Sequence, residues 1–419
     1  MVVTLFGLGF VGLTTAVAFA DMGITVYGIE VNEKRRSTIA AGKLPFHEPG
    51  LGEGLDRTLG KTFFVDVPVE EAVSKSDAVY YCVGTPYGKD GQADLSYLYG
   101  AIDQTLPAVS KDGFTVLVTK STVPPSTTKD MVIPYIEKQG YTVGGNIGVA
   151  NNPEFLREGH CWDDVVNADR IVLGVSDERS EKVLRKLYQG YTCPVHTVTL
   201  NTGEYIKYLS NTLLATLISW SNEMSLVADN IGDIQIAEAF RILHEDSRWG
   251  TPACNMATYA YPGAGYGGYC LPKDTNALFA RSKALGYEPK MLGQTIAVND
   301  AMPSAIAKII ERKVSSPEQV IGLCGLSFKP ESDDTRDTPA AKIVAALNKD
   351  GYTNILGYDP LAIPEFKQYY AQLKMGFKES YDELVASSDV LVITTAWKEF
   401  SDLPEKAADK PIVDARYLL

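Results

Sequence analysis

The sequence predicts an α/β protein of two doubly wound, parallel-sheet halves joined by a long helix. Three observations predict it. Val2-Val3-Thr4-Leu5-Phe6 is a short run of β-formers leading at once into Gly7-Leu8-Gly9-Phe10-Val11-Gly12, a helical stretch from Thr14 to Met22 and a second strand from Thr25 to Ile29. A long helical pattern runs from about Gly203 to Asp229, with no Gly or Pro inside. After about Asn299 the alternation of strand and turn begins again. The divisions read as 1–200, 201–298 and 299–419.

In the first half the spacing is GxGxxG in its required setting of strand, turn, helix and strand. Gly7 permits the tight turn, Gly9 lets a pyrophosphate approach, and Gly12 allows close helix packing. The helix N-terminus offers unpaired N–H groups to phosphates. Glu30 follows Gly12 by eighteen residues, where an acid accepts hydrogen bonds from adenosine ribose hydroxyls. An acid there favours NAD, because it repels a 2′-phosphate; Arg35 nearby keeps NADP open. Three more strands end in candidate ligand-binding turns. Asp77 to Val83 runs into Gly84-Thr85-Pro86, Thr115 to Thr119 into Lys120-Ser121-Thr122-Val123-Pro124-Pro125, and Gly148 to Asn151 into Asn152-Pro153-Glu154-Phe155-Leu156-Arg157-Glu158-Gly159. In a parallel sheet such ends form the ligand crevice. Thr85 and Thr122 read equally as cofactor or water contacts and as turn caps.

Along the long helix, Glu204, Lys207 and Asn211 recur at spacings of three and four and share one face. Leu213, Leu217 and Trp220 share another. A Lys/Asn pair on a helix reads as a solvated face, or as a face at an active-site cleft where the helix links two nucleotide-binding halves. Farther on, Tyr266-Gly267-Gly268-Tyr269-Cys270-Leu271-Pro272-Lys273-Asp274 sets a cysteine between a glycine-rich turn and a Pro that can open a helix. The glycines let a substrate come close. A helix N-terminus and Lys273 both lower a thiol pKa, and Asp274 falls one helical turn from the sulfur. This reads as a nucleophilic cysteine; a buried cysteine before an ordinary helix is the alternative.

In the last part, Gln319 to Cys324 leads to Gly325-Leu326-Ser327-Phe328-Lys329-Pro330, Asn354 to Tyr358 leads to Asp359-Pro360, and Val390 to Thr395 leads to Ala396-Trp397. Leu323-Cys324-Gly325-Leu326-Ser327-Phe328 echoes Leu5-Phe6-Gly7-Leu8-Gly9-Phe10. Two related nucleotide-binding halves follow, one for the dinucleotide and one for a different nucleotide. Asp333-Asp334-Thr335-Arg336-Asp337 reads as a solvated, charged turn.

Composition narrows the function. The 419 residues carry a net charge of -13, which excludes a nucleic-acid-binding footprint but not an anionic substrate. Six cysteines are scattered without a CxxC pair, and with four histidines no metal site is expected. Such usage suits a reducing cytosol. No basic segment precedes an apolar core at the N-terminus, and no apolar run reaches spanning length, so the expectation is a cytoplasmic protein without a membrane partner.

Together the motifs resemble the UDP-glucose/GDP-mannose dehydrogenase family. The resemblance rests on GLGFVGL near the start, VGTP at 83–86, KSTVPP at 120–125, NPEFLREG at 152–159, EYIKYLSN at 204–211, GYGGYCLPKD at 265–274 and GLSFKPESDDTR at 325–336, in that order over nearly the whole chain. It implies two Rossmann-like domains, pairing into dimers through the central region, and oxidation of a sugar C6 alcohol to a carboxylate with two NAD per turnover. It implies that Cys270 attacks the aldehyde, giving a thiohemiacetal and then a thioester. By the same resemblance Lys207 and Asn211 stabilise oxyanions, Asp274 and Thr122 hold or activate a water, and Glu158 serves thioester hydrolysis with Glu154 in support. Gly7, Gly9, Phe10, Val11, Gly12, Glu30, Arg35, Thr85, Thr122, Glu158, Lys273 and Arg336 would contact NAD. Phe155, Leu156, Lys207, Asn211, Arg248, Tyr261, Gly267, Phe328 and Lys329 would line the nucleotide-sugar site. UDP-glucose is the substrate the motifs most resemble; GDP-mannose, a UDP-N-acetylhexosamine and a non-catalytic sensor of nucleotide sugars stay open. Two departures stand out. Glu30 replaces a common Asp, and the stretch from Trp249 to Tyr261 is longer than usual.

Overall fold

The computed structural model describes residues 1–88, 92–157, 159–246, 249 and 256–419. Backbone contacts divide it into two compact units, Met1–Leu209 and Ser210–Leu419. The first is built on eight strands: β1 (Val2–Phe6), β2 (Thr25–Ile29), β3 (Phe63–Val65), β4 (Ala78–Tyr81), β5 (Thr115–Thr119), β6 (Ile147–Asn151), β7 (Ile171–Val175) and β8 (Val195–Thr199). Their order is β3-β2-β1-β4-β5-β6-β7-β8. Neighbours are parallel except β6 and β7, which run antiparallel and so interrupt an otherwise parallel sheet.

The sheet is covered on both faces, and the sequence shows why. Val3, Leu5, Tyr80, Val116 and Val118 join one buried apolar cluster, while Phe6, Val79, Tyr81 and Leu117 join the other. Alternate residues of a strand point to opposite faces, so strands apolar at every position need a helical layer on each side. Helix Phe10–Asp21 supplies one such layer through Leu13, Val17 and Phe19. It begins at Phe10, four residues before the patterned stretch that signals it, because the glycine turn itself winds into the first helical turn.

The second unit repeats the scheme with β9 (Ile321–Cys324), β10 (Ile355–Tyr358), β11 (Gly376–Phe377), β12 (Val390–Ile393) and β13 (Ile412–Asp414), all parallel, in the order β11-β10-β9-β12-β13. In both sheets the first strand is flanked by the second and the fourth, so the strand order reverses beside it, the position where open α/β sheets bind ligands.

The central helix runs Leu200–Ile231, three residues longer at its start than the pattern suggests and with Gly203 inside it. A Cβ on Gly203 would lie 2.2 Å from Asn151 Oδ1 and 3.0 Å from Gly174 Cα, so this glycine is required by packing on the sheet. Among the described residues no helix is long and apolar enough to cross a membrane. Replacing an interior helical glycine by alanine ordinarily gains about 1 kcal/mol, whereas overpacking costs about 1–3 kcal/mol. Gly203→Ala is therefore expected to lower the thermal midpoint, and a raised midpoint in calorimetry would show that the contact yields freely.

Candidate active site

The glycine turn after β1 is set by packing at two points and open at the third. Gly7 has φ +86°, its N–H donates to Ile29 O at 2.8 Å, and a Cβ there would be 2.7 Å from Cys82 O. A Cβ on Gly12 would be 1.8 Å from Gly7 O. Around Gly9 nothing lies within 4 Å of an added Cβ. Gly9 is also the N-cap of helix Phe10–Asp21, with no side-chain cap and no acid in the first turn. Its leading N–H groups and the open face of Gly9 are what a pyrophosphate needs, so the residues fit a dinucleotide. Phe10 packs on Phe46 in a tilted arrangement with centroids 4.0 Å apart, and the Val11 carbonyl accepts from Thr15 Oγ1 at 2.7 Å.

Glu30 is buried and its oxygens are already engaged. Oε2 accepts from Leu8 N at 2.9 Å and pairs with Arg35 at 3.1 Å, and Oε1 accepts from Asn32 N at 2.8 Å. The acid thus ties the end of β2 to the glycine turn, leaving its remaining lone pairs for a ribose. Arg35, which the sequence leaves open as a 2′-phosphate ligand, is held by Glu30. Thr85 Oγ1 donates to Thr122 O at 2.8 Å and Ser121 Oγ to Val83 O at 2.6 Å, stitching the turns after β4 and β5 together.

From Asn152 to Arg157, beyond β6, the chain does not form a helix; Glu158 lies outside the described residues. The partner of Glu154 is a cation. Oε1 pairs with Lys207 Nζ at 2.9 Å and Oε2 accepts from Leu156 N at 2.6 Å. Burial alone would push this carboxyl up, but Lys207, the Leu156 N–H and Lys120 together hold it below the usual carboxylate range. The buried carboxylate is therefore met by ion pairing. The Phe155 ring carries Arg170 at 4.1 Å and Lys207 at 5.7 Å on its π-system. Glu204 and Lys207, one face of the central helix, are buried rather than solvated, as is Asn211. The Leu213 and Trp220 face is exposed.

In the second unit the helix Cys270–Ala284 begins at the cysteine itself, two residues ahead of Pro272, with Tyr269 as an N-cap that bonds no helix amide through its side chain. Cys270 is exposed and in no disulfide. One turn on, Asp274 is buried, accepting from Asn211 Nδ2 at 2.6 Å and pairing with Lys273 Nζ at 2.5 Å. Burial lowers the Lys273 pKa, but Asp274 and Cys270 outweigh it and raise it. Lys273 therefore stays charged, held by Asp274 first, and favours a thiolate at Cys270 as a secondary effect.

The faces on which Gly267 and Gly268 lack a side chain are filled by the protein itself. A Cβ on Gly267 would meet Asp337 O at 2.4 Å, and one on Gly268 (φ +75°) the Phe328 ring at 2.9 Å; Gly268 N also donates to Arg336 O at 2.9 Å. They make room for the 328–337 loop. Nor is that loop a solvated turn, since Asp334 and Thr335 are buried and Arg336 binds Asp334 through two nitrogens, at 2.8 and 2.5 Å. Arg336 also lies 4.9 Å over the Tyr269 ring, and Lys329 5.5 Å over Phe328. Tyr261 sits in an aromatic cluster with Phe240, His244 and Tyr417, its hydroxyl donating to Ala237 O at 3.3 Å. Arg248 lies outside the described residues.

Sequence reasoning gave no role to Tyr269, Lys120 or Glu204. Lys120 is buried, with Nζ 2.8 Å from Asn152 Oδ1, and burial lowers its pKa. The signal available for Glu204 was only its place one turn before Lys207.

A dinucleotide turn on one doubly wound sheet, a second such sheet without a free turn, and a helix-opening cysteine beside a buried Asp/Asn/Lys set define the class of two-domain dinucleotide-dependent dehydrogenases. Family comparison agrees domain by domain. Residues 1–192 match the NAD binding domain, 201–301 the central domain and 322–419 the UDP binding domain of one family. The chain belongs to the UDP-glucose/GDP-mannose dehydrogenase family, NAD-dependent enzymes of nucleotide-sugar oxidation. It is similar to UDP-glucose 6-dehydrogenase AglM of Haloferax volcanii, with 32% identity over 100% of this chain and 97% of that protein. Among solved structures it is similar to a UDP-glucose dehydrogenase from Pyrobaculum islandicum, with TM-score 0.91, 33% identity and coverage of 99% and 94% of the two chains. A UDP-D-ManNAc dehydrogenase from Pyrococcus horikoshii matches with TM-score 0.85 and 26% identity, over 100% of this chain and 96% of that one.

The two kinds of glycine can be separated by experiment. Gly9→Val, entering open space, is expected to keep stability within about 0.5 kcal/mol while weakening NAD binding about tenfold or more. Gly12→Ala is expected to lower stability as well. Thermal melts with and without NAD decide; a Gly9→Val protein that binds NAD normally would mean the open face is not the cradle.

Proposed function

We propose that this chain oxidises the C6 hydroxyl of UDP-glucose to the carboxylate of UDP-glucuronate, a four-electron reaction that passes through a covalent adduct on Cys270. The observation that carries this reading is the exposed Cys270 at the first position of its helix, one turn from a buried Asp274 already bonded to Asn211 and Lys273. A two-electron dehydrogenase has no use for such a thiol, and a sensor has none for the surrounding acids.

NAD, when bound, accepts hydride from C6, once per oxidation. The chain's residues do the rest. The C6 hydroxyl proton leaves to a base or activated water as the first hydride departs. Lys207, a buried cation steadied by Glu154, and Asn211 stabilise the negative oxygen. The Cys270 sulfur then bonds the aldehyde carbon and the thiol proton passes to the new hydroxyl, giving a thiohemiacetal. Loss of a second hydride and of that hydroxyl proton gives the thioester. Water, held by Thr122 and Asp274 with Glu158 as general base, adds to the thioester carbon; the C–S bond breaks and the thiol is restored. Glu154, held ionised, supports the step by fixing Lys207. Gly7, Gly9, Gly12, Glu30, Arg35, Thr85, Lys273 and Arg336 are assigned to NAD, and Phe155, Leu156, Arg248, Tyr261, Gly267, Phe328 and Lys329 to the nucleotide sugar. We also infer a homodimer from the exposed apolar line Leu213, Trp220, Val227 and Ile231 on the central helix, to be read from solution mass, and a cytoplasmic setting from the reduced, scattered cysteines.

Counting NADH released per sugar across a panel of nucleotide sugars tests the reading. Two NADH per UDP-glucose, with little from GDP-mannose or a UDP-N-acetylhexosamine, is the expected result. Two from another sugar would move the substrate assignment, and one per sugar would contradict the covalent route.

A further inference from the structure

The first unit holds a partly open pocket with a space of about 10 Å³, lined by Thr119, Ser121, Thr122, Asn151, Glu204 and Lys207 among others. A space of ~10–15 Å³ on this scale holds one water. Two of the residues that line it, Glu204 and Thr119, each carry a buried oxygen, Oε2 and Oγ1, with no hydrogen-bond partner among the described residues. Asn151 Oδ1 is also unpartnered, but it is wedged against Gly174 and Gly203 and is set aside. An unpaired buried oxygen costs about 1–3 kcal/mol, more for a charged group. Two such oxygens on side chains that line one water-sized space fit a water site.

The chemistry of Glu204 gives that water a role. Its side chain is fixed at the other oxygen, where Oε1 accepts from Thr128 N at 2.8 Å and Thr128 Oγ1 at 2.6 Å. Burial pushes the carboxyl up to about 7, against the opposing pull of Thr128 and the neighbouring Ser126 and Thr127 N–H groups. Other charged groups on the surrounding elements are engaged or exposed. Glu154 is paired with Lys207, Lys120 bonds Asn152, and Lys129 and Asp130 are exposed. Lys207 lies one helical turn after Glu204 and lines the same pocket.

We propose that Glu204 is a positioning residue for the oxidation: a single buried water, held by Glu204 Oε2 and Thr119 Oγ1, links its carboxyl to Lys207 and exchanges a proton with it. The step is balanced. An N–H bond of the Lys207 ammonium breaks, an O–H bond forms on the Glu204 carboxylate, and the water that relays the proton is regenerated. Lys207 thereby becomes an amine able to receive the C6 hydroxyl proton, which itself restores the cation that stabilises the oxyanion, and Glu204 gives up its proton to solvent before the next cycle. The inference rests on the proposed function.

Glu204→Gln tests it, since the amide oxygen still accepts from Thr128 while the side chain can no longer exchange a proton. In the wild type, kcat is expected to fall on the acid side with an ionisation near pH 7. In Glu204→Gln that limb should vanish and kcat at pH 8 should drop about tenfold or more, with KM for NAD within about twofold and the thermal midpoint little changed. Thr119→Val, which keeps shape but removes the hydroxyl from the water site, should lower kcat severalfold in the same direction and serves if Glu204→Gln fails to fold. A wild-type pH profile in either variant would overturn the proposal. Infrared titration, which needs no turnover, separates the two readings. A buried carboxylic acid band titrating near pH 7 and missing from Glu204→Gln is expected. Its absence overturns the proposal alone, and a wild type that oxidises no nucleotide sugar overturns both.

Discussion

A lysine with 5% of its side chain exposed cannot stand alone, and the architecture around Lys207 follows from that constraint. Desolvation costs several kcal/mol per ion, and stripping a buried charge of its partner costs about 3–5 kcal/mol. Glu154 answers it, at 8% exposure and 2.9 Å. To reach Lys207 the chain leaves β6 in an irregular turn instead of a helix, and Leu156 N secures the second carboxylate oxygen. The same turn sets Phe155 beneath Lys207 and Arg170. Asp274 meets a parallel demand in the other unit, where its buried carboxyl is shared between Lys273 and Asn211.

The two sheets solve one problem in two ways. In each, a glycine with positive φ follows the first strand and donates to the last residue of the second, Gly7 to Ile29 and Gly325 to Tyr358, both at 2.8 Å. In each, an acid just past that second strand accepts the next amide, Glu30 from Leu8 and Asp359 from Leu326. The halves part at the open face. Gly9 looks onto free space, whereas Asp359 also takes Ser327 and the Trp397 indole N–H, and Thr394 and Thr395 bond the Gly325 and Ser327 carbonyls. The second turn is filled by its own chain. That is the physical form of a glycine fingerprint surviving in only one half, and it fits the match of this region to a UDP binding domain.

Much of this was legible because it is local. Strand, glycine turn and helix declare themselves within thirty residues, and β2 and β5 fall where patterning sets them. The register of Glu204, Lys207 and Asn211 on one helix was equally plain. What the sequence could not disclose were partners far along the chain. Nothing local says that Gly267 and Gly268 make way for Phe328 and Asp337, that Glu154 faces a cation, or that Asp334 folds inward on Arg336. Glu204 could not stand out either, since its chemistry comes from burial against Thr128, seventy-six residues away.

The central claim is that Cys270 carries the sugar carbon between the two oxidations. Mass spectrometry of enzyme quenched with acid during turnover tests it most directly. The account predicts an acyl adduct on the peptide containing Cys270 and on no other cysteine peptide, accumulating when thioester hydrolysis is slowed by Glu158→Gln. An unmodified Cys270 peptide throughout a turnover that still yields two NADH per sugar would contradict it.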